Sequence, residues 1–195
     1  MLPSKPCMHE SIRRYSSVNP MWQKTLKMQS LFLVEIDGCE QIMDIAILAD
    51  RSRSMSNKSR EKLSEAVKNL VDDLGVSETG NHFGFVTFAV NATLHSKFSD
   101  SFYYNAEKLK SKVDEEVNFT PDRDSTRTDL AMQLIENELF TSDGGQRNNS
   151  RSFLLLITDG RPVHVNKEWD KRPQINTSNI TERLEVIIFR VSFKL

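Results

Sequence analysis

Met43–Ser54 reads MDIAILADRSRS, an apolar run broken only by Asp44, stopped at Asp50 and followed at once by alternating hydroxyl and cationic residues. Continuous apolarity with so little alternation suits a central strand covered on both faces. Downstream, Leu63, Ala66, Val67, Leu70, Val71 and Leu74 recur at i, i+3, i+4 spacing, with Ser56 as a cap and Gly75 as a stop, which describes an amphipathic helix. Phe83–Val90 (FGFVTFAV) reads as a second buried strand, and Asn91 to about Phe98 as a short return strand at the sheet edge. Two helices follow: Tyr104–Val117 on Ala106, Leu109 and Val113, and Thr126–Phe140 on Leu130, Leu134, Ile135 and Leu139. Phe153–Thr158 (FLLLIT) is another central strand that ends in an acid, Asp159. A polar stretch from Arg161 to Arg183 leads to a last strand, Val186–Ser192. The alternation predicts an α/β domain with a doubly wound, mostly parallel sheet, one antiparallel edge strand, and helices on both faces.

The 195 residues are enough for one core of ordinary size. Apolar residues make up 38% and charged residues 27%, a composition that still supports a folded core. Lys plus Arg total 26 against 27 Asp plus Glu, so a net charge of -1 gives no global field to hold nucleic acid. No apolar run approaches the roughly 20 residues of a membrane helix. Residues 1–40 differ in texture: Pro3, Pro6 and Pro20 interrupt them, cations outnumber the single Glu10 before Leu31, and they read as a poorly ordered leader without a visible secretory signal. The domain then spans 41–195. Cys7 and Cys39 exclude a disulfide-dense scaffold and a four-cysteine zinc site; whether they pair stays open.

In open α/β sheets, ligands sit beyond the carboxyl ends of the strands. Three polar clusters fall at that edge: Asp50-Arg51-Ser52-Arg53-Ser54, Ser125-Thr126-Arg127-Thr128, and Thr158-Asp159-Gly160. Carboxylates and hydroxyls without thiolates or clustered imidazoles form a hard oxygen set, suited to Mg2+ or Mn2+. His164, five residues beyond Asp159, has no nucleophile to pair with and reads as a surface loop residue.

On these residues the stretch from about 43 to 192 resembles a von Willebrand factor type A domain. The family's metal-ion-dependent adhesion site, D-x-S-x-S, stands here as Asp50, Ser52 and Ser54. Its threonine matches Thr126, five residues before the small Ala131, and its strand-end aspartate matches Asp159 with Gly160. The phrase Leu139–Pro162 (LFTSDGGQRNNSRSFLLLITDGRP) further resembles the matrilin and collagen-type extracellular branch. The resemblance implies that the Ser52 and Ser54 hydroxyls bind the metal directly. Thr126 would join when a ligand is bound, and Asp50 and Asp159 would act largely through water. It also implies a partner: a matrix or cell-surface protein presenting Asp or Glu to complete the metal shell.

Departures accompany the match. Arg51 and Arg53 put two cations beside the metal loop, which should weaken cation binding and attract an acidic partner, and Asp124-Ser125 stands where Gly-Gly is common. The chain ends just after its last readable strand, so the expectation is a domain without its final strand and helix. Sequons occur at Asn57, Asn91, Asn118, Asn148, Asn176 and Asn179, six of 13 asparagines where composition alone gives about two, which favours an extracellular history. Asn57 lies close to the metal loop, leaving the other five as the glycosylation candidates. The expected function is a non-catalytic, secreted adhesion module. The competing readings are an intracellular assembly adaptor and a metal-dependent hydrolase, for which no general base is evident.

Overall fold

The computed structural model describes residues 42–118, 125–159 and 185–190, the last stretch as backbone alone. The expectations for the leader, Cys7, Cys39, His164, Asn176 and Asn179 lie outside these residues. Among the described residues five strands form one sheet: β1 (Met43–Asp50), β2 (His82–Phe88), β3 (Ala92–Ser96), β4 (Arg151–Thr158) and β5 (Glu185–Arg190), in spatial order β3-β2-β1-β4-β5. β1 pairs in parallel with both β2 and β4, and β5 pairs in parallel with β4. Only β3 among them runs antiparallel, as the partner of β2 at one edge. The sheet is the mixed, mainly parallel one that the alternation predicts.

Helix α1 (Asn57–Leu74) begins where Ser56 Oγ accepts the Ser59 N–H at 3.1 Å. It ends at Gly75, whose φ of 69° lets its N–H turn back to the Val71 carbonyl at 3.0 Å. Both signals are the ones the sequence carries. Helix α2 (Ala106–Val117) is capped by Asn105, which accepts the Lys108 N–H at 3.1 Å. The expected start at Tyr104 is therefore two residues early, because a short 3-10 turn, Ser101–Tyr103, takes the chain into the cap. The segment expected as one helix over 126–140 is also revised: α3 covers Thr128–Leu134, and the chain continues as a π-turn, Ile135–Leu139, closed by the Phe140 N–H on the Ile135 carbonyl at 2.7 Å. Thr126 stands before the helix in a strand-like bridge.

Strand alternation assigns the two faces. Ala46 and Leu48 of β1, Val86 and Phe88 of β2, and Leu154 and Leu156 of β4 form one buried cluster with Ala131, Ile135, Leu139 and Phe140 of the α3 segment. Phe85 and Thr87 of β2 point the other way. Thr87 Oγ1 bonds His95 Nε2 at 2.8 Å, and His95 reaches Glu116 of α2 at 3.4 Å. That face carries α1 and α2, whose Leu63, Val67, Leu70, Leu109, Val113 and Val117 are all buried.

Gly84 of β2 lies under the π-turn. A Cβ there would come within 2.5 and 2.6 Å of the Leu139 Cδ atoms, so the glycine allows the turn to approach the sheet. Gly84→Ala is expected to destabilise the domain by about 1–3 kcal/mol through overpacking. In urea melts the double variant with Leu139→Ala should lose less than the sum of the two single losses; strict additivity would mean that the two side chains do not compete for that space.

Candidate metal centre

The parallel register brings the carboxyl ends of β1, β2 and β4 side by side. The Arg51 N–H bonds the Phe88 carbonyl at 3.0 Å, holding the chain just past Asp50 against the end of β2. Asp50 is fully buried. Its Oδ1 accepts the Ser52 N–H at 2.8 Å, curling the DRSRS loop back on itself, and its Oδ2 accepts the Thr158 hydroxyl at 2.6 Å. Ser52 Oγ lies 3.0 Å from Ser54 Oγ, and Ser54 Oγ donates to Asp159 Oδ1 at 2.9 Å across 105 positions of sequence. Asp50, Ser52, Ser54 and Asp159 therefore form one connected oxygen cluster.

Thr126 reaches the same edge by another route. The Arg127 N–H bonds the Ala89 carbonyl at 2.8 Å, which ties the start of the α3 segment to the chain leaving β2. Thr126 and Ser125 are both buried there. Burial pushes the Asp50 carboxyl above the usual carboxylate range and the nearby Asp159 charge adds to that, while the bonds from Ser52 and Thr158 oppose it.

Among the described residues no three His, Cys, Asp or Glu side chains gather at one point. The candidate set has two carboxylates and three hydroxyls, all hard oxygen donors, so its chemistry fits a divalent cation. Thr158 belongs to this arrangement as the residue that fixes Asp50. The sequence signal for it is a hydroxyl at the last position of a buried strand, immediately before the acid.

The two arginines differ in their surroundings. Arg51 turns inward to Glu116 at 3.6 Å, with 14% of its side chain exposed. Glu116 also pairs with Lys112 at 2.6 Å. Arg53 is exposed at the tip of the loop. Sequence reasoning missed Glu116, because nothing in the spacing of α2 links it to a loop more than sixty residues earlier.

Burial lowers the pKa of His95, in the same cluster, to about 4. Glu116 opposes the shift, while Lys112 and Arg51 add to it. Below the ordinary 6.5 the unfolded chain takes up a proton that the folded imidazole refuses. The associated stability is therefore present above pH 6.5 and is lost as the pH falls toward 4. His95 alone should cost on the order of 1 kcal/mol between pH 7.5 and 5.5. His82, lowered mainly by its own burial, acts in the same direction. Urea midpoints at the two pH values should therefore fall less for His95→Gln than for the wild type; equal falls would mean that His95 titrates normally in the fold.

The sequence matches the von Willebrand factor type A domain family over residues 44–194. The chain belongs to that family. Domains of this family are non-catalytic, so the hydrolase reading is set aside. Matrilin-3 of Mus musculus is 28% identical over 123 residues, covering 62% of this chain and 24% of that protein. Integrin alpha-X of Mus musculus is 29% identical over 131 residues, 67% of this chain and 11% of that protein. The von Willebrand A domain described here thus spans about a quarter or less of the length of these relatives. Proximal thread matrix protein 1 from the mussel byssus, solved with a zinc-occupied MIDAS motif, shares the fold at a TM-score of 0.62 and 21% identity over 77% of this chain and 38% of that one.

Of the candidate sequons, Asn91, Asn118 and Asn148 are exposed, as is Asn57. Among the described residues no helix is long and apolar enough to cross a membrane.

Proposed function

We propose that this von Willebrand A domain is an extracellular adhesion or matrix-interaction module, and that it takes a partner's carboxylate at a divalent-cation site built from Asp50, Ser52, Ser54, Thr126 and Asp159. The observation that carries the reading is the Ser54–Asp159 bond at 2.9 Å, joined to Ser52 and Asp50 in one cluster at the sheet's carboxyl edge. When bound, Mg2+ or Mn2+ supplies an electrophilic coordination position that an Asp or Glu side chain completes. Ser52 and Ser54 would hold the ion through hydroxyl oxygens. Asp50, held by Ser52 and Thr158, adds negative charge from behind the loop, and Asp159 adds it from β4. Thr126 would add its hydroxyl oxygen when a partner's carboxylate is bound.

Arg53, exposed at the loop tip, is the arginine assigned to the acidic partner, and Arg51 is held toward Glu116. The match to matrilin-3 supports a place in the extracellular matrix, and the exposed sequons support passage through the secretory pathway. The matrilin-like branch is part of this proposal, since integrin alpha-X matches at similar identity.

The test is a calorimetric titration with Mn2+, followed by retention on a surface carrying a Glu-containing peptide, with Mn2+ or with chelator. The wild type should bind one Mn2+ and be retained only in its presence. Thr126→Ala should keep most of the Mn2+ affinity and lose at least about tenfold in retention, equivalent to 1.4 kcal/mol. Arg53→Gly should bind Mn2+ more tightly and the peptide more weakly, because the same charge acts on both with opposite sign. Absence of Mn2+ binding by the wild type would remove the reading.

A further inference from the structure

We infer that Asn91 carries an N-linked glycan whose first N-acetylglucosamine lies in the groove between the β2–β3 turn and the α3 segment. The inference rests on the extracellular reading proposed above and is independent of its cation site. The groove, about 370 Å³, is lined by Asn91, Ala92, Leu130, Gln133, Leu134 and Glu138, and its volume lies at the low end of pockets that accept a small ligand. Leu134 and Ala92 pack against the core and leave an apolar floor, while Gln133 and Glu138 are exposed at the rim. An N-acetylglucosamine has matching chemistry: a C–H face and a methyl group for the leucines, hydroxyls and an amide for the rim. The π-turn Ile135–Leu139 forms one end of this wall and sets Glu138 on it.

The sequons do not present their hydroxyls alike. Ser59, which completes the sequon of Asn57, is buried with its Oγ 2.8 Å from Ser56 Oγ. Ser150, which completes that of Asn148, is bonded to the buried Asp44 and to the Arg147 carbonyl. Thr93, which completes that of Asn91, is exposed on β3, and Asn91 itself is exposed at the turn. Among the three sequons whose hydroxyl residue is described, Asn91 combines an exposed asparagine, an exposed hydroxyl residue and a groove to receive the sugar.

The modification is a group transfer. Asn91 Nδ2 forms a bond to C1 of the first sugar of a polyprenyl-pyrophosphate-linked oligosaccharide. The C1–O bond to the pyrophosphate breaks, the polyprenyl pyrophosphate leaves with the electron pair, and the amide gives up one proton to solvent. Because Asn91 follows β2 at the carboxyl edge, and Ala89 two residues earlier holds Arg127 beside Thr126, the glycan would border the partner-facing surface.

The full chain, directed into the secretory pathway of a glycosylating cell by a signal sequence, would be recovered from medium and cells and mapped by glycopeptide mass spectrometry. Asn91 is expected to be occupied in most molecules, Asn91→Gln and Thr93→Ala to be empty there, and Thr93→Ser to restore the glycan. On high-mannose material, trimming to a single N-acetylglucosamine should leave the Tm unchanged. Complete removal should lower the Tm by about 2–4 °C and speed amide exchange over Leu130–Glu138. An empty Asn91, whether or not other sequons are occupied, would overturn this inference alone; the proposed function fails separately, if the wild type binds no Mn2+. An occupied Asn91 whose first sugar alters neither Tm nor exchange would overturn the seating in the groove.

Discussion

Asp50→Asn is expected to weaken Mn2+ binding by about 100-fold or more while the domain stays folded. Asp50 is one of two carboxylates in the candidate centre, and it is buried between a loop bearing Arg51 and Arg53 and the end of β4. Replacing it by its neutral isostere leaves a single acid, Asp159, in a loop region that also carries the exposed cation of Arg53. Oxygen sites for divalent ions depend strongly on carboxylate count, and loss of even an indirect partner of a metal typically costs 10–100-fold. Asparagine keeps the fold because its carbonyl can still accept the Ser52 N–H, and its amide can donate to Thr158 once that hydroxyl rotates. Alanine is the poorer probe, since it would strand both donors at about 1–3 kcal/mol each. Calorimetry with Mn2+ on wild type and Asp50→Asn decides the matter, with circular dichroism confirming the fold. Indistinguishable isotherms would mean that the oxygen cluster is structural.

Arg147→Ala is expected to produce the largest loss of stability, about 3–5 kcal/mol, at the edge of the sheet opposite the metal centre. Asp44 on β1 is fully buried. Arg147 closes on it with its backbone N–H to Oδ2 at 2.8 Å and its Nε to Oδ1 at 2.9 Å, and an Nη lies 2.7 Å from Oδ1. The same guanidinium donates to the Gly80 carbonyl at 2.8 Å and the Met43 carbonyl at 3.0 Å, so one side chain joins the entries to β1, β2 and β4. Removing it leaves a buried carboxylate with its main counter-charge gone, the case in which breaking a buried pair costs most. With an m-value of about 2 kcal/mol/M, the urea midpoint should fall by roughly 1.5–2.5 M. Arg147→Lys should recover little, because several separate N–H donors in a planar fork are in use. A midpoint within 0.3 M of wild type, about 0.6 kcal/mol at that slope, would show that the pair contributes no more than a surface ion pair.

These two positions divide what could be read in advance. Asp50 announces itself: an acid ending a buried run, followed by two hydroxyl residues at alternate positions, is a local pattern. Arg147 does not, since it sits in the polar stretch before β4 and its partner is 103 residues away. The same contrast holds for α1, where Ser56 and Gly75 signal both ends, and for the π-turn after α3, whose wider winding has the same apolar spacing as ordinary helix.

The sequence by itself determined the order of strands and helices, the central place of β1 and β4, and the three oxygen-bearing clusters, two at strand ends and one opening a helix. These follow from hydrophobic periodicity and capping, which act within a few residues. Only the tertiary structure decided that Ser54 meets Asp159, that Thr158 holds Asp50, that Glu116 draws Arg51 inward, and that Arg147 clasps Asp44. Each of those contacts depends on parallel register and on how a helix lies across the sheet. The energies that set them come from packing and buried charge between residues tens of positions apart, and no local pattern in the chain encodes them.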